Sequence, residues 1–200
     1  MLSMIILAAG KSTRMRGNNK LLAHIKGSPM IRRVVQAALE SKADEVIVVL
    51  GWEEEKIRAA LAGLPCRIVV NSAYEEGQSS SVKVGLAEIS PSTRAILILP
   101  GDVAMVNARL INMVIEKYDL GGCAIVVAAH GGRSGHPILF DKQLFPEIRR
   151  INEETFGLKA IVKKHENEVC LVETGSPNVL KDVDTPEDLR KLGSLTASLG

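Results

Sequence analysis

The sequence predicts an α/β fold of three layers, in which a mostly parallel sheet carries helices on both faces. Two observations predict it: five short apolar runs that do not alternate in polarity, and four longer segments of helical period between them. Continuous apolar runs are typical of strands buried on both faces, and helices between such strands form right-handed crossover units. The runs are SMIILAA, DEVIVVLG, RIVVN, RAILILPGD and CAIVVAA. The helical segments are PMIRRVVQAALES, EEEKIRAALAGL, SSSVKVGLAEI and NARLINMVIEKY.

Helix ends are also predicted. Pro29 is expected in the first turn of the first helix, with Ser28 as its N-cap. Near the other end of the chain, TPEDLRKLGSL predicts a capped helix with Pro186 close to its first turn.

The chain changes character after Ala129. GGRSGHPILF is rich in glycine and then extended, QLFPEIRRI and FGLKAIVKKHE have helical period, and EVCLVETG has the pattern of a strand. No linker composition separates this part from the rest. We therefore expect one domain over residues 1–200, in which the second part is an excursion that covers the open edge of the first sheet.

Composition excludes several classes of function. The formal net charge is +2 and aromatic residues make up 3% of the chain, which argues against nucleic-acid binding and against an anionic membrane surface. No stretch approaches the roughly 20 apolar residues of a membrane span, and the N-terminal apolar run lacks the charged start of a signal peptide. Cys66, Cys123 and Cys170 are far apart and odd in number, so we expect reduced thiols and a cytoplasmic protein.

The stretch IILAAGKSTRMRGNNK contains GKST, the end of a P-loop motif. A P-loop needs a glycine five positions before Gly10, where Ile5 stands inside the first predicted strand. A dinucleotide fingerprint fails because Ser12 occupies the place of its second glycine. The remaining interpretations are a phosphate site of another type, in which Arg14 and Lys20 supply positive charge, and a solvated basic turn.

The segment LAAGKSTRMRGNNKLL resembles the LA(A/G)GxSxRMGxxK signature of the MobA-like NTP transferases, in particular their molybdenum cofactor cytidylyltransferase branch. Arg16 stands where that signature has glycine. The resemblance implies a Rossmann-like fold of the nucleotide-diphospho-sugar transferase type. It also implies a single nucleotidyltransferase domain, with a nucleotide-binding half over residues 1–129 and an acceptor-side half over residues 130–200.

Two further segments carry the resemblance in the first half. NSAYEEGQSSSVKVGL is similar to the family's segment with asparagine, glycine and three serines, and ILILPGDVAMV is similar to its LPGDMPLV. The serines have the alternative of simple helix capping. The resemblance implies nucleotide binding by Leu7, Ala8, Ala9, Gly10, Ser12, Arg14, Lys20, Asn71, Gly77, Ser79, Ser80, Ser81 and Gly101.

Three aspartates are predicted metal ligands. Asp102 ends a buried strand, where a carboxylate has no structural reason to be, and a hard oxygen ligand suits Mg²⁺ bound with substrate phosphates. DVDTPEDL matches the family's D(I/V)DTPEDL, so Asp182 or Asp184 is expected to complete the site, and Asp182 is favoured. Asp184 has the alternative of capping the helix that follows.

The second half carries weaker signals for the acceptor. GHPILF matches the family's GHP(V/I)LF, which implies that His136 and Pro137 contact the acceptor, although His136 has the alternative of a core histidine. The family's GDxGAR is replaced by NEETFGLKAI, with Glu154 and Lys159 as the nearest equivalents. The acceptor side therefore matches less well than the nucleotide side.

The resemblance implies a Mg²⁺-dependent transfer of CMP from CTP to a molybdopterin-type cofactor, with pyrophosphate as the leaving group. Arg14, Lys20 and Asp102 are the expected catalytic residues, and Ala9 goes with CTP in this family. A molybdoenzyme or its maturation factor is an expected partner. Two alternatives stay open: transfer to another phosphorylated acceptor, such as a sugar or polyol phosphate, and a non-catalytic nucleotide or cofactor carrier.

Overall fold

A single seven-stranded sheet organises the chain in the computed structural model, which describes residues 1–13, 19–185 and 187–190. The strands of this sheet have the order β5-β4-β1-β6-β8-β7-β9. Strands β1, β4, β5 and β6 run parallel to one another, as the continuous apolar runs predict. The strands are β1 (Leu2–Ala8), β4 (Glu45–Leu50), β5 (Arg67–Val70), β6 (Ala95–Pro100), β7 (Ile125–His130), β8 (Arg133–Asp141) and β9 (Val169–Glu173), and a separate two-stranded ribbon joins β2 (His24–Ile25) to β3 (Ser28–Pro29).

The excursion after Ala129 does more than cover an edge. Strand β8 lies inside the sheet, antiparallel to both β6 and β7, so the fifth apolar run is not the neighbour of the fourth. Strand β9 then pairs in parallel with β7 and forms the edge. The prediction of a covering excursion is therefore wrong in placement: apolar runs reveal that strands are buried, but they do not encode which strand lies between which.

Helices cover both faces of the sheet, which confirms the predicted three layers. One core cluster joins the sheet to α1, α2 and α4, and a second joins the opposite face to α3, α5 and α6. The first helix begins at Met30, with Pro29 at the N-cap and Ser28 in β3, so the predicted cap at Ser28 is wrong. The helices are α1 (Met30–Leu39), α2 (Glu54–Ala60), α3 (Gln78–Ala87), α4 (Ala108–Asp119), α5 (Phe145–Ile148) and α6 (Gly157–Lys164).

Two cysteines form a disulfide bond. Cys123 lies just before β7 and Cys170 lies in the neighbouring strand β9, and their Cα atoms are 5.8 Å apart. The prediction of three reduced thiols is therefore wrong for this pair, because parallel pairing brings together residues that are 47 positions apart in the sequence. Cys66 has a free thiol, and burial raises its pKa.

The predicted C-terminal helix lies only partly within the residues that the structure describes. Residues 187–190 are helical, in agreement with the predicted C-terminal helix, whereas Pro186 and the rest of that segment are not described. Within the described ranges, every helix is too short or too polar to cross a membrane.

Candidate functional site

A cavity of about 280 Å³ lies at the carboxyl ends of β1 and β6. We call it the smaller cavity. Ligands of open α/β sheets bind at this edge, because the loops that follow parallel strands meet there. Its lining includes nine residues that the sequence assigned to nucleotide or metal: Leu7, Ala9, Gly10, Ser12, Lys20, Gly77, Ser81, Asp102 and Asp184.

Lys20 lies between two of the predicted metal ligands. Its Nζ donates to Asp102 Oδ2 at 2.5 Å and to Asp184 Oδ1 at 2.8 Å. Burial lowers the pKa of Lys20, but the two carboxylates more than offset this effect, so the net pKa is raised and the ammonium stays charged. The second oxygen of Asp102 is buried without a hydrogen-bond partner in the described ranges of the chain.

The glycine turn after β1 leaves space rather than filling it. A Cβ added at Gly10 would meet no atom within 4 Å, so a ligand can approach the backbone there. Ser12 has a φ of 52°, and its hydroxyl accepts a hydrogen bond from the Lys20 amide at 3.2 Å, which closes the loop. Arg14, the other predicted cation, lies outside the described residues.

Lys11, which a P-loop would have used, points to solvent. Its ammonium pairs with Glu75 on the surface, and 46% of its side chain is exposed. A P-loop assignment is therefore inconsistent with the structure as well as with the sequence.

The three serines do not cap α3, so the capping alternative is wrong. Gly77 is the N-cap residue and offers no side chain. Ser80 Oγ donates to the Gly77 and Ala73 carbonyls, and Asn71 Nδ2 donates to the hydroxyls of Ser80 at 2.8 Å and Ser81 at 3.0 Å. Asn71 and Ser80 thus stabilise the turn before α3 and do not line the smaller cavity, whereas Ser81 does line it.

Two predicted nucleotide contacts lie behind the cavity wall. Ala8 is buried in β1, next to Leu50 of β4. A Cβ at Gly101 would come within 3.1 Å of the Leu7 carbonyl and 2.9 Å of Ile31, so close packing requires glycine there. Both residues support the wall instead of lining it.

A larger cavity, of about 880 Å³, lies beside the first. Gln78 borders both cavities, and the larger one reaches over β7 and β8 to α6. His136, Asp182 and Ser79 line it, whereas Pro137 lies in β8 outside the lining of both cavities, joined to His136 by a cis peptide bond. Lys159, an expected acceptor-side residue, also lines it; Glu154 is exposed on the loop before α6.

Two titratable groups of the larger cavity are shifted by burial. Burial lowers the pKa of His136 to about 4, against the opposing effect of Asp102, and its Nδ1 has no partner in the described ranges. Burial raises the pKa of Asp182 to about 6, and the nearby charges of Asp102 and Asp184 act in the same direction. Asp182 in the larger cavity is therefore close enough to Asp102 and Asp184 of the smaller one for their charges to act on it, and a cation near them would stabilise all three carboxylates.

Several residues that line the cavities were not predicted as site residues from the sequence. Tyr74 and Gln78 line the smaller cavity, and Phe156 lines the larger one with 77% of its surface exposed. Gln78 and Tyr74 lie inside a segment that was singled out for its serines, so its spacing could have suggested them. Phe156 lies in NEETFGLKAI, the segment that replaces the family's GDxGAR on the acceptor side, although its residue type does not indicate a cavity.

The carboxylates fit a metal that arrives with substrate phosphates rather than a closed protein cage. Among the described residues, there is no group of three or more His, Cys, Asp or Glu side chains that could hold a metal ion. Mg²⁺ commonly uses one or two carboxylates and completes its shell with phosphate and water. Asp102 and Asp184 meet that need because both already bind the same ammonium.

Comparison with known proteins decides the family. The model of the MobA-like NTP transferase domain matches residues 4–169. The chain belongs to that family. Among curated relatives, the bifunctional protein GlmU of Alkalilimnicola ehrlichii is 36% identical over 174 residues, which cover 80% of this chain and 36% of that protein. The chain therefore spans well under half the length of this relative.

Solved structures superpose on nearly the whole chain. Rv0371c of Mycobacterium tuberculosis superposes with a TM-score of 0.85 at 26% identity, covering 96% of this chain and 97% of that one. A complex of Rv0371c with manganese superposes with a TM-score of 0.78 at 25% identity, covering 96% of this chain and 98% of that one. The membership confirms both the resemblance in the sequence and the predicted fold class.

Proposed function

We propose that this member of the MobA-like NTP transferase family is a Mg²⁺-dependent nucleotidyltransferase that transfers CMP from CTP to a molybdopterin-type cofactor. One observation carries the proposal. A small cavity and a large cavity share Gln78 in their linings; Asp102 and Asp184 line the first, Asp182 lines the second, and the charges of Asp102 and Asp184 act on Asp182. Two substrates in these cavities would meet where the charge of the reacting phosphates needs compensation.

The smaller cavity supplies the nucleotide site of this proposal. Gly10 leaves its backbone accessible, Ser81 presents a hydroxyl, and Lys20 provides a cation inside the cavity. Arg14 is a further phosphate ligand in the proposal, on the strength of the sequence motif alone. Asp102 and Asp184 would hold the metal ion, which supplies charge neutralisation on the phosphates. The manganese complex of Rv0371c supports a divalent metal in the family.

The reaction assigned to this site is an in-line displacement. A phosphate oxygen of the acceptor forms a bond to the α-phosphorus of CTP, the bond from that phosphorus to the bridging β-phosphate oxygen breaks, and pyrophosphate leaves with the electron pair. The protein needs no covalent intermediate. Its contribution is to align the two substrates and to stabilise charge through Lys20 and backbone amides.

The larger cavity supplies the acceptor site. Its volume of about 880 Å³ is within the range of sites for drug-sized ligands. Lys159 provides positive charge near its wall, and His136 presents a neutral imidazole, since its pKa lies far below 7. These groups suit an anionic acceptor with a sizeable organic part. The GHPILF and DVDTPEDL motifs support the molybdopterin branch over other phosphorylated acceptors.

The preference for CTP is proposed from Ala9. Ala9 lines the smaller cavity, and its carbonyl accepts a hydrogen bond from the Trp52 amide at 3.1 Å, which fixes its position. In the family, alanine at this place goes with CTP and glycine with GTP. Ala9→Gly is expected to shift the preference toward GTP.

Pyrophosphate release tests the function. Purified protein with Mg²⁺ is incubated with each of the four NTPs, with and without molybdopterin cofactor, and in parallel with a sugar phosphate and a polyol phosphate. Release with CTP and the cofactor alone supports the proposal. Release with a sugar or polyol phosphate reassigns the acceptor, and tight CTP binding without release on any acceptor indicates a carrier.

A further inference from the structure

One hydrogen bond links the two halves of the candidate site across 74 positions of sequence. Glu153 Oε1, on the loop before α6, accepts from the Ser79 amide at 2.6 Å. Ser79 is the second residue of α3, and the N-cap residue Gly77 has no side chain to satisfy the free amides of the first turn. Glu153 therefore performs the capping that the helix's own N-cap cannot.

The fit around this bond leaves no room for larger residues. A Cβ at Gly77 would come within 2.4 Å of Glu153 Cγ, and one at Gly157 would come within 2.8 Å of Ser79 Oγ. Both glycines also have positive φ values, of 99° and 53°. The start of α3 and the loop of residues 152–157 thus touch at two points, with glycine on each side.

The loop of residues 152–157, which we call the acceptor-side loop, is braced internally. Asn152 accepts from the Thr155 amide at 2.8 Å through its side chain and from the Gly157 amide at 2.9 Å through its carbonyl. Glu153, Phe156 and Gly157 line the larger cavity, whereas Gly77 and Ser81 line the smaller one. The Glu153 contact therefore joins the start of α3 to the wall of the larger cavity.

We propose that Glu153 is a positioning residue that couples nucleotide binding at the start of α3 to the acceptor-side loop. The proposal rests on the proposed function, since it takes the smaller cavity as the nucleotide site. Glu153 lines the larger cavity but not the smaller one, and it acts through the Ser79 amide. It holds the first turn of α3 in the orientation that the nucleotide requires, and the nucleotide in turn fixes the loop that borders the acceptor.

Hydrogen exchange measured by mass spectrometry tests the coupling in the full chain. The wild type and Glu153→Ala are compared with and without CTP and Mg²⁺. In the wild type, the nucleotide is expected to slow exchange at residues 78–81 and also at residues 152–157. In Glu153→Ala, the slowing at 78–81 is expected to persist and that at 152–157 to disappear. Without nucleotide, the variant should exchange faster than the wild type at Ser79.

Two further variants separate positioning from a general loss of structure. Glu153→Gln keeps an oxygen that accepts from Ser79 and should restore the wild-type pattern. Glu40→Ala removes an exposed carboxylate at the end of α1, outside the lining of both cavities, and should keep the wild-type pattern. CTP affinity, followed by the fluorescence of the single tryptophan Trp52, should fall by about fivefold or more in Glu153→Ala, the lower end of typical coupling between sites.

The outcomes distinguish the two proposals. Slower exchange at 78–81 without any change at 152–157 in the wild type overturns the coupling and leaves the nucleotide site intact. An unchanged pattern in Glu153→Ala also overturns it. No change at either segment on adding CTP contradicts the nucleotide site itself, and the coupling is then overturned with it.

Discussion

Lys20 shows how a single residue can serve two states of the candidate site. In the structure its ammonium neutralises Asp102 and Asp184, the two carboxylates that we propose as metal ligands. A metal ion in this position would compete with the ammonium for the same oxygens. Lys20 would then be released toward the phosphates, where its charge is useful for the reaction.

Replacing Lys20 by methionine should therefore separate metal affinity from activity. We expect Lys20→Met to bind Mn²⁺ more tightly than the wild type without nucleotide, because the competing cation is gone. We expect its kcat/KM to fall by about 10²–10³, as for the loss of one donor to a developing charge. Electron paramagnetic resonance of free Mn²⁺ measures the first effect, and pyrophosphate release measures the second.

Lys11→Met is the matched control, since Lys11 lies on the same loop and pairs with Glu75 at the surface. It should change neither quantity. Weaker Mn²⁺ binding in Lys20→Met than in the wild type would contradict the competition between lysine and metal.

His136 should make stability sensitive to acid. Its imidazole has a pKa of about 4 in the fold because of burial, compared with 6.5 in an unfolded chain. The neutral form is therefore favoured by folding, and the stability that this contributes is lost as pH falls from about 6.5 toward 4. Between pH 7 and pH 5 the loss should be about 2 kcal/mol.

Urea unfolding of the wild type and of His136→Asn at both pH values measures this loss. The comparison uses the change with pH within each protein, so a general destabilisation by the substitution cancels. We expect a smaller fall in the variant. An equal fall in both proteins would mean that other groups carry the acid sensitivity.

Individual elements were predictable where their burial is uniform. The apolar runs give β1, β4, β6 and β7 within a few residues, because a strand covered on both faces must be apolar throughout. The run RIVVN also gives β5, although this edge strand is only partly buried. The insertion of β8 between β6 and β7 has no such signature. It depends on pairing between distant segments, and pairing partners leave no mark in the periodicity of either strand.

The Cys123–Cys170 disulfide also depends on strand pairing, here of β7 with β9, that could not be predicted from the sequence. It joins the start of β7 to the edge strand β9 and closes a loop of 47 residues. Cross-links of loops of this size typically stabilise by about 2–4 kcal/mol, mainly by restricting the unfolded chain. The double variant Cys123→Ser with Cys170→Ser should lose about that free energy of unfolding.

Denaturation without reductant measures the loss. Adding a reductant should lower the stability of the wild type and leave the double variant unchanged. Cys66→Ser, which removes the free thiol, should respond to the reductant as the wild type does. A wild type that is indifferent to reductant would contradict a stabilising role for the bond.

At the scale of the molecule, the nucleotide side was more predictable than the acceptor side for a physical reason. Loops that follow parallel strands converge at one edge, so Gly10, Lys20 and Asp102 could be grouped from sequence alone. The larger cavity is assembled from β7, β8 and α6 together with the acceptor-side loop. Contacts such as that of Glu153 with Ser79 depend on how these elements pack, and the partner cannot be predicted from either residue type.

A nucleotide that binds in the smaller cavity should stabilise the whole fold against unfolding. A ligand that binds only the folded state stabilises it by about 2.7 kcal/mol when its concentration is 100 times its Kd. For a domain of this size, that free energy corresponds to an increase in Tm of about 5–10 °C. CTP with Mg²⁺ should produce such a shift, since the smaller cavity draws its lining from segments between Leu7 and Asp184 that only the folded chain brings together.

Thermal unfolding of the wild type and of Asp102→Asn, each with CTP and Mg²⁺ and with CTP and EDTA, measures the effect. In the wild type, EDTA should remove most of the shift, because the metal bridges the phosphates to the carboxylates. In Asp102→Asn the shift with Mg²⁺ should fall toward the EDTA value, since half of the proposed pair of ligands has lost its charge. A full shift in Asp102→Asn would mean that the metal is held elsewhere, and the assignment of Asp102 would have to be abandoned.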